Sequence, residues 1–180
     1  MGMRSFVNSE GAPVIVAQRL KRIPTIVHKL ARIPKMQLSR MQDIAGCRAI
    51  LPSQQHVQAV VRRLRQRGWD VTRFDDYTVS PRSTGYRAVH VVVRRRGRLV
   101  EIQLRTPRQQ RWGAEVDRAA GQVGVGLKDG TGPPGLAAAF AHLAEEIARS
   151  GDDPAAEARL DEAFRTIREQ VGGYGRTKYS

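Results

Sequence analysis

Between Gly85 and Thr106 the chain reads GYRAVHVVVRRRGRLVEIQLRT, two β-rich runs on either side of a basic turn centred on Arg96 and Gly97. That pattern predicts a β-hairpin. Side chains alternate faces along a strand. Glu101, Gln103 and Arg105 of the second strand therefore share one face, and Val100, Ile102 and Leu104 the other. On the first strand Tyr86 and His90 share a face, opposite Val89, Val91 and Val93. One side is apolar enough to hold a core. The other gathers a carboxylate, an amide, a guanidinium, an imidazole and a phenol. A solvated antiparallel face is also polar, but is usually filled with Lys, Glu and Thr. This mixture suits a working site laid out on a sheet.

A hairpin needs a larger sheet around it, and 180 residues with 41% hydrophobic content supply one domain, or one domain with a helical tail. No apolar run approaches the roughly 20 residues of a membrane helix. The N-terminal MGMRSFVNSEGAP lacks the apolar core of a signal peptide, so the expectation is a cytoplasmic protein with no membrane partner. The single cysteine, Cys47, has no internal disulfide partner and lies in an apolar run as a small core residue. Net charge is +14, from 31 Lys and Arg against 17 Asp and Glu, and most of the cations are Arg. The planar guanidinium fork matches phosphate oxygens, so such an excess implies nucleotide polyphosphates or nucleic acid as partner. A basic surface that serves only solubility gives the same number.

Taken in order, residues 1–12 are expected to be loose. PVIVAQRLKRIPTIVHKLARI (13–33) is helical in character, with a second helix starting at Pro24, because proline is welcome in a first turn and not in a helix interior. If the helix ran through, Lys21, Thr25 and Lys29 would stack on one face as a row for phosphate oxygens. Ala45 to Leu51 reads as a strand ended by Pro52, with Asp43 just before it and Arg48 within it. Gly46 suggests the close approach of another backbone. Asp43 near a cation row suits Mg²⁺, which one or two carboxylates hold together with substrate phosphates. Gln54 to Gln66 is an amphipathic helix carrying Val57, Val60, Val61 and Leu64, closed by Gly68. Trp69 to Phe74 is a further strand. Pro107 opens a helix, and Gly121–Gly135 is a glycine-rich loop. Its Gly-x-Gly spacings lack the preceding strand and following helix of a dinucleotide fingerprint. Leu136–Arg149 and Ala155–Val171 are two amphipathic helices, the second striped with Leu160, Phe164, Ile167 and Val171. From Gly172 a flexible tail is expected.

Several motifs, in one order, then coincide. Arg19-Leu20-Lys21 with Thr25 and Lys29 resembles RxKxxxSxxxK, and Asp43 to Arg48 resembles DxxGxR. Arg73-Phe74-Asp75-Asp76-Tyr77 is similar to an acceptor-loop motif that occurs as RxKD or ExDD. Pro81 to His90 resembles PKxNGYxSxH, and Glu101 to Thr106 reads EIQLRT. Together these resemble the synthetase domain of the RelA/SpoT family, ATP-dependent pyrophosphokinases that make alarmone nucleotides. The resemblance covers Arg19 to Thr106, with a weaker trail to Trp112. It departs at Thr25, at Arg82, at Thr84 and in the hybrid acceptor motif, and the last three departures lie on the acceptor side.

The resemblance implies an α/β (α+β) fold of the nucleotidyltransferase-like synthetase type: a mixed sheet of about five strands, flanking helices on one face, the substrate cleft on the other, and a C-terminal helical pair. The synthetase domain would span residues 13–120, with the helical pair at 136–171. It implies that Asp43 and Glu101 hold Mg²⁺, and that Glu101 shares the metal or activates the acceptor 3′-hydroxyl. Arg19 and Arg48 would sandwich the adenine of ATP, with Lys21, Thr25 and Lys29 on its phosphates. Tyr86 would stack on the acceptor base, with Asp76, Arg82, His90, Gln103 and Arg105 on the acceptor side. The β,γ-pyrophosphate of ATP would pass to a ribose 3′-OH, releasing AMP. Phosphoryl transfer asks mainly for positioning, metal and cations. GDP or GTP, giving (p)ppGpp, is the leading acceptor; the alternative, as in toxin-type members, is the tRNA 3′ end or an adenosine nucleotide. The net charge and the arginines at 94–96, 98, 108 and 111 favour the larger polyanion. An antitoxin is a candidate partner of a toxin-type member, and the terminal helices suit a homo-oligomer. A non-catalytic nucleotide- or RNA-binding module is the third reading, and two acids in a basic site argue against it.

Overall fold

The computed structural model describes residues 7, 14–21, 23–38, 41–124, 127 and 132–176. Its elements run β1 (Ile15–Leu20), α1 (Ile23–Arg32), β2 (Ala45–Ile50), α2 (Gln54–Gln66), β3 (Val71–Asp76), β4 (Val89–Arg95), β5 (Arg98–Arg105), α3 (Pro107–Val123), α4 (Pro134–Ser150) and α5 (Glu157–Arg176), the last entered through a 3₁₀ turn at Pro154–Ala156. The five strands form one sheet in the order β1-β2-β5-β4-β3. β1 runs antiparallel to β2, β2 parallel to β5, and β5 antiparallel to β4. This is the mixed α+β sheet expected. By contacts the chain divides into two compact units, Met1–Asp75 with Val89–Arg105, and Asp76–Ala88 with Thr106–Ser180.

The first unit is built on the hairpin. Arg96 and Gly97 both have positive φ (48° and 73°) and turn β4 directly into β5. Val89, Val91, Val93, Ile102 and Leu104 are buried on one side of the sheet, against Val57, Val60 and Leu64 of α2. Ser53 caps α2, its Oγ accepting from the His56 amide at 3.3 Å, which gives His56 a structural place.

The second unit is helical. Thr106 and Gln109 form a reciprocal capping box at the start of α3, with Pro107 in the first turn, so the threonine of EIQLRT starts a helix. The stripe Leu160, Phe164, Ile167 and Val171 of α5 is buried with Trp112, Leu136 and Phe140. An oligomer formed through these helices must therefore use other faces.

Four expectations need correction. Residues 15–20 form a strand and not a helix, because Ile15 to Leu20 pair along Ile50 to Ala45; Pro24 then falls in the first turn of α1. The hairpin's first strand starts at Val89, so Tyr86 lies outside it: Gly85, at φ 85°, donates to Arg82 O and turns the chain. α3 extends to Val123, closed by Gly124 at φ 72°. α5 runs on through Gly172 and Gly173 to Arg176, whereas a flexible tail was expected from Gly172. Residues 1–6 and 8–12 of the expected loose terminus, 125–126 and 128–131 of the glycine-rich loop, and tail residues 177–180 lie outside the described residues.

Candidate active site

Strand register places the polar residues of the first unit. Arg19 pairs with Gly46 and Gly46 with Glu101; one step along, Arg48 pairs with Gln103 and Gln103 with His90. Partners in register share a face, so these side chains lie together, opposite the α2 core. Gly46 is what lets Arg19 reach over β2: the Arg19 Nη1 lies 3.5 Å from Glu101 Oε2, although a whole strand separates their backbones. A Cβ on Gly46 would stand 2.6 Å from the Glu101 carbonyl oxygen. The glycine read from sequence as a close approach is therefore one, and the backbone it meets is that of Glu101.

Glu101 is the hub of this face. Its Oε2 accepts from Gln103 Nε2 at 2.7 Å, and its Oε1 is 3.1 Å from His90 Nδ1. Gln103 in turn is oriented from behind: its Oε1 faces Arg48 Nε and Nη2 and Arg105 Nη2, each at 3.4 Å. With its oxygen on the guanidinium side, the Gln103 amide presents its N–H to Glu101. Gln103 and Arg105 are both buried, each 4% exposed. Burial alone would raise the Glu101 pKa. Hydrogen bonding and charge from His90, the Gln103 hydrogen bond and the charge of Arg19 outweigh it and hold the carboxyl below its ordinary value. Glu101 is thus an ionised, oriented carboxylate in a mostly buried position.

Asp43 centres a second cluster, and β1 leads into it: Lys21 follows Arg19 by two residues and is pinned by its amide to Ile44 O at 3.0 Å. Lys21 Nζ lies 2.7 Å from Asp43 Oδ2, and Lys29 Nζ 3.0 Å from Oδ1 and 3.1 Å from Oδ2. The row expected along a continuous helix is absent, since Lys21 precedes α1, but both lysines converge all the same. Thr25 is exposed on α1, one turn before Lys29. Here too burial would raise the Asp43 pKa, and the bonds and charge of Lys21 and Lys29 bring it below the usual value. Cys47, on β2, is inert by contrast, since burial pushes its thiol up to about 11.

The remaining sequence candidates belong to the second unit. Asp76 Oδ1 accepts from the Thr78 amide at 2.9 Å and from its hydroxyl at 2.5 Å, bracing the turn after β3. Arg82 lies 4.6 Å over the Tyr77 ring and 5.5 Å over Tyr86, and donates to Tyr77 Oη at 3.1 Å. Tyr86 meets Tyr77 edge-on at 5.8 Å and Trp112 at 6.3 Å. Tyr77 was not singled out from the sequence; its position beside the DD pair of the acceptor-loop motif was the available signal. Arg108 and Arg111, read from sequence as part of a polyanion surface, are committed within this unit. Arg108 donates to Gly151 O, Asp153 O and Glu157, and Arg111 pairs with Glu157 and Asp161.

The model of the region found in RelA/SpoT proteins matches residues 18–120. An uncharacterized protein of Mycobacterium bovis is 34% identical over 166 residues, 89% of this chain and 58% of that protein. The chain therefore spans less than two thirds of that relative. The GTP pyrophosphokinase YjbM of Bacillus subtilis is 35% identical over 126 residues, 62% of this chain and 59% of that protein. Among solved structures, small alarmone synthetase 1 of Bacillus subtilis bound to its product pppGpp superposes with a TM-score of 0.65 at 27% identity, covering 94% of this chain and 87% of that one. No described helix is long and apolar enough to cross a membrane. With the family's model matching more than half of its length and its fold that of the small alarmone synthetases, the chain belongs to the RelA/SpoT family.

Proposed function

We propose that this chain is an ATP-dependent pyrophosphokinase whose acceptor is a guanosine nucleotide, GDP or GTP. The observation that carries the reading is Glu101: an ionised carboxylate oriented by His90 and Gln103, on the same sheet face as Arg19 and Arg48. In the proposed reaction the acceptor 3′-oxygen attacks the β-phosphorus of ATP as Glu101 takes its proton. The bond between the α–β bridging oxygen and the β-phosphorus breaks, and AMP departs with that oxygen. Lys21 and Lys29 neutralise the phosphates, and Arg19 and Arg48 hold the adenine. Tyr86 and Arg82 serve the acceptor base, with Asp76, His90, Gln103 and Arg105 supporting the acceptor side. The guanosine acceptor is supported by the likeness to a GTP pyrophosphokinase and to a synthetase solved with pppGpp.

The carboxylates suit Mg²⁺. Among the described residues there is no group of three or more His, Cys, Asp or Glu able to hold a metal, but Mg²⁺ on a nucleotide needs only one or two carboxylates beside the phosphates. Asp43 and Glu101 are both hard oxygen donors held ionised. When bound, the metal neutralises charge on the transferring phosphates.

The test uses γ-labelled ATP and Mg²⁺ with GDP, GTP, ATP and deacylated tRNA offered in parallel. Label in a guanosine product is the expected result. Label on tRNA, lost when its 3′ adenosine is removed, would reassign the acceptor. No transfer with ATP still bound would remove the enzyme and leave a binding module.

A further inference from the structure

We propose that the tip of the β4–β5 hairpin, with the C-terminal end of α2, is a docking surface for the phosphate backbone of a nucleic acid. Residues 62–75 and 94–98 hold nine arginines against two acids, Asp70 and Asp75, the latter paired with Arg73 at 2.7 Å. The sheet brings the two stretches together. The Arg94 amide donates to Asp70 O at 2.8 Å, and the Arg95 guanidinium lies 5.1 Å over Trp69, two residues past Arg67. Arg65 lies 4.6 Å over the Phe74 ring. Aromatic rings beneath two guanidinium groups hold them flat at the surface. Asp70, 3.6 Å from Arg94, offsets one charge; Arg62, Arg67, Arg96 and Arg98 are exposed.

Charge alone would describe a soluble surface. What points to a ligand is that arginine stands here where folding disfavours it. Arg96 occupies the first position of a two-residue hairpin turn at φ 48°, the one non-glycine residue of positive φ among the described residues. Asn or Gly is the residue such a turn favours. Arg95 and Arg98 are direct cross-strand partners, and like charges directly opposite destabilise a sheet. Two local rules broken at one spot by the same residue type mark a site kept for something other than stability. A guanidinium fork matches the oxygens of a phosphate. This surface involves none of the residues assigned to the transfer reaction, and its test needs neither ATP nor turnover.

The experiment is anisotropy of a fluorescein-labelled 20-nucleotide RNA with the full chain, from 50 to 200 mM KCl. Neutralising about five phosphates, at a slope of roughly −0.7 each, should weaken binding on the order of 100-fold over that range. In the Arg67→Gln/Arg96→Asn/Arg98→Gln variant the slope should become shallower by about 2. Arg96→Asn alone should raise the melting temperature while weakening RNA binding, a pairing that damage to the fold does not produce. Arg149→Gln/Arg159→Gln, which removes two exposed charges from the helical unit, should leave affinity unchanged. Equal binding of DNA of the same length supports a backbone contact. Equal losses in the hairpin and helical variants, or tighter binding to phosphatidylserine vesicles than to RNA, would overturn the proposal.

Discussion

Glu101 takes a proton in the proposed reaction, and Gln103, after His90, helps to set how readily it does so; the two roles separate in different measurements. Glu101→Gln keeps the size and the hydrogen-bonding reach of the side chain but removes the base. Turnover should fall about 10²- to 10⁴-fold, with ATP affinity by calorimetry changed little. An unaltered turnover would take the base role from Glu101. Gln103→Leu leaves the carboxylate in place but deletes one of the hydrogen bonds that depress its pKa. The pKa should rise, so the acid limb of the turnover profile should move to higher pH. Only part of this arrangement was legible in the sequence. Alternation along EIQLR placed Glu101, Gln103 and Arg105 on one face. It said nothing of Gln103 standing between two guanidinium groups and a carboxylate, because Arg48 and His90 come from other strands and register is a property of the assembled sheet.

At the scale of elements, the parallel contact of β2 with β5 is where fold and site meet. Gly46→Ala would set a Cβ 2.6 Å from a backbone oxygen of β5, and neither strand has a side chain there that can yield. The strands must part by several tenths of an ångström. A loss of about 1–3 kcal/mol in urea unfolding should result, together with a fall in turnover, because the moved backbone is that of Glu101. Turnover unchanged in a folded Gly46→Ala variant would show that this contact does not position the base. The helical unit has its own keystone. Phe164 is 1% exposed at the centre of the α5 stripe, and Phe164→Ala should cost about 3–5 kcal/mol, read from the same unfolding curves. That stripe was plain in the sequence, since four apolar residues at helical spacing have few other uses. β1 was not. Six residues beginning Ile-Val are too short to show a period, and the helix that follows lent them its own. Tyr86 was misplaced for a related reason: alternation extends backwards through any run until a turn stops it, and Gly85 stops this one only after Tyr86 has already left the ladder.

For the molecule as a whole, net charge was readable from composition, but its distribution between internal pairs and open surface was not. Lys21 and Lys29 hold Asp43, and Arg118 and Arg168 hold Glu115, a buried carboxylate in α3. Burial would raise the Glu115 pKa, and the hydrogen bonds and charge of the two arginines bring it down. Asp43, Glu101 and Glu115 therefore all have folded-state pKa values below their unfolded ones. Such groups contribute stability that is fully present above the unfolded value, about 4, and is lost as pH falls through the folded value. Acid should thus destabilise the chain below about pH 4.5. A charge of +14 that grows as carboxylates protonate acts in the same direction through self-repulsion. Salt tells the two apart. At 1 M the screening length is about 3 Å, against about 10 Å at 0.1 M, so long-range repulsion is removed while mostly buried contacts at hydrogen-bond distance persist. Melting followed from pH 7 to pH 3 in both salts should show a fall that remains at 1 M. Glu115→Gln should flatten it, by removing one of the three groups. A fall that disappears in high salt would assign acid lability to net charge, and would mean that these carboxylates contribute little to holding either unit together.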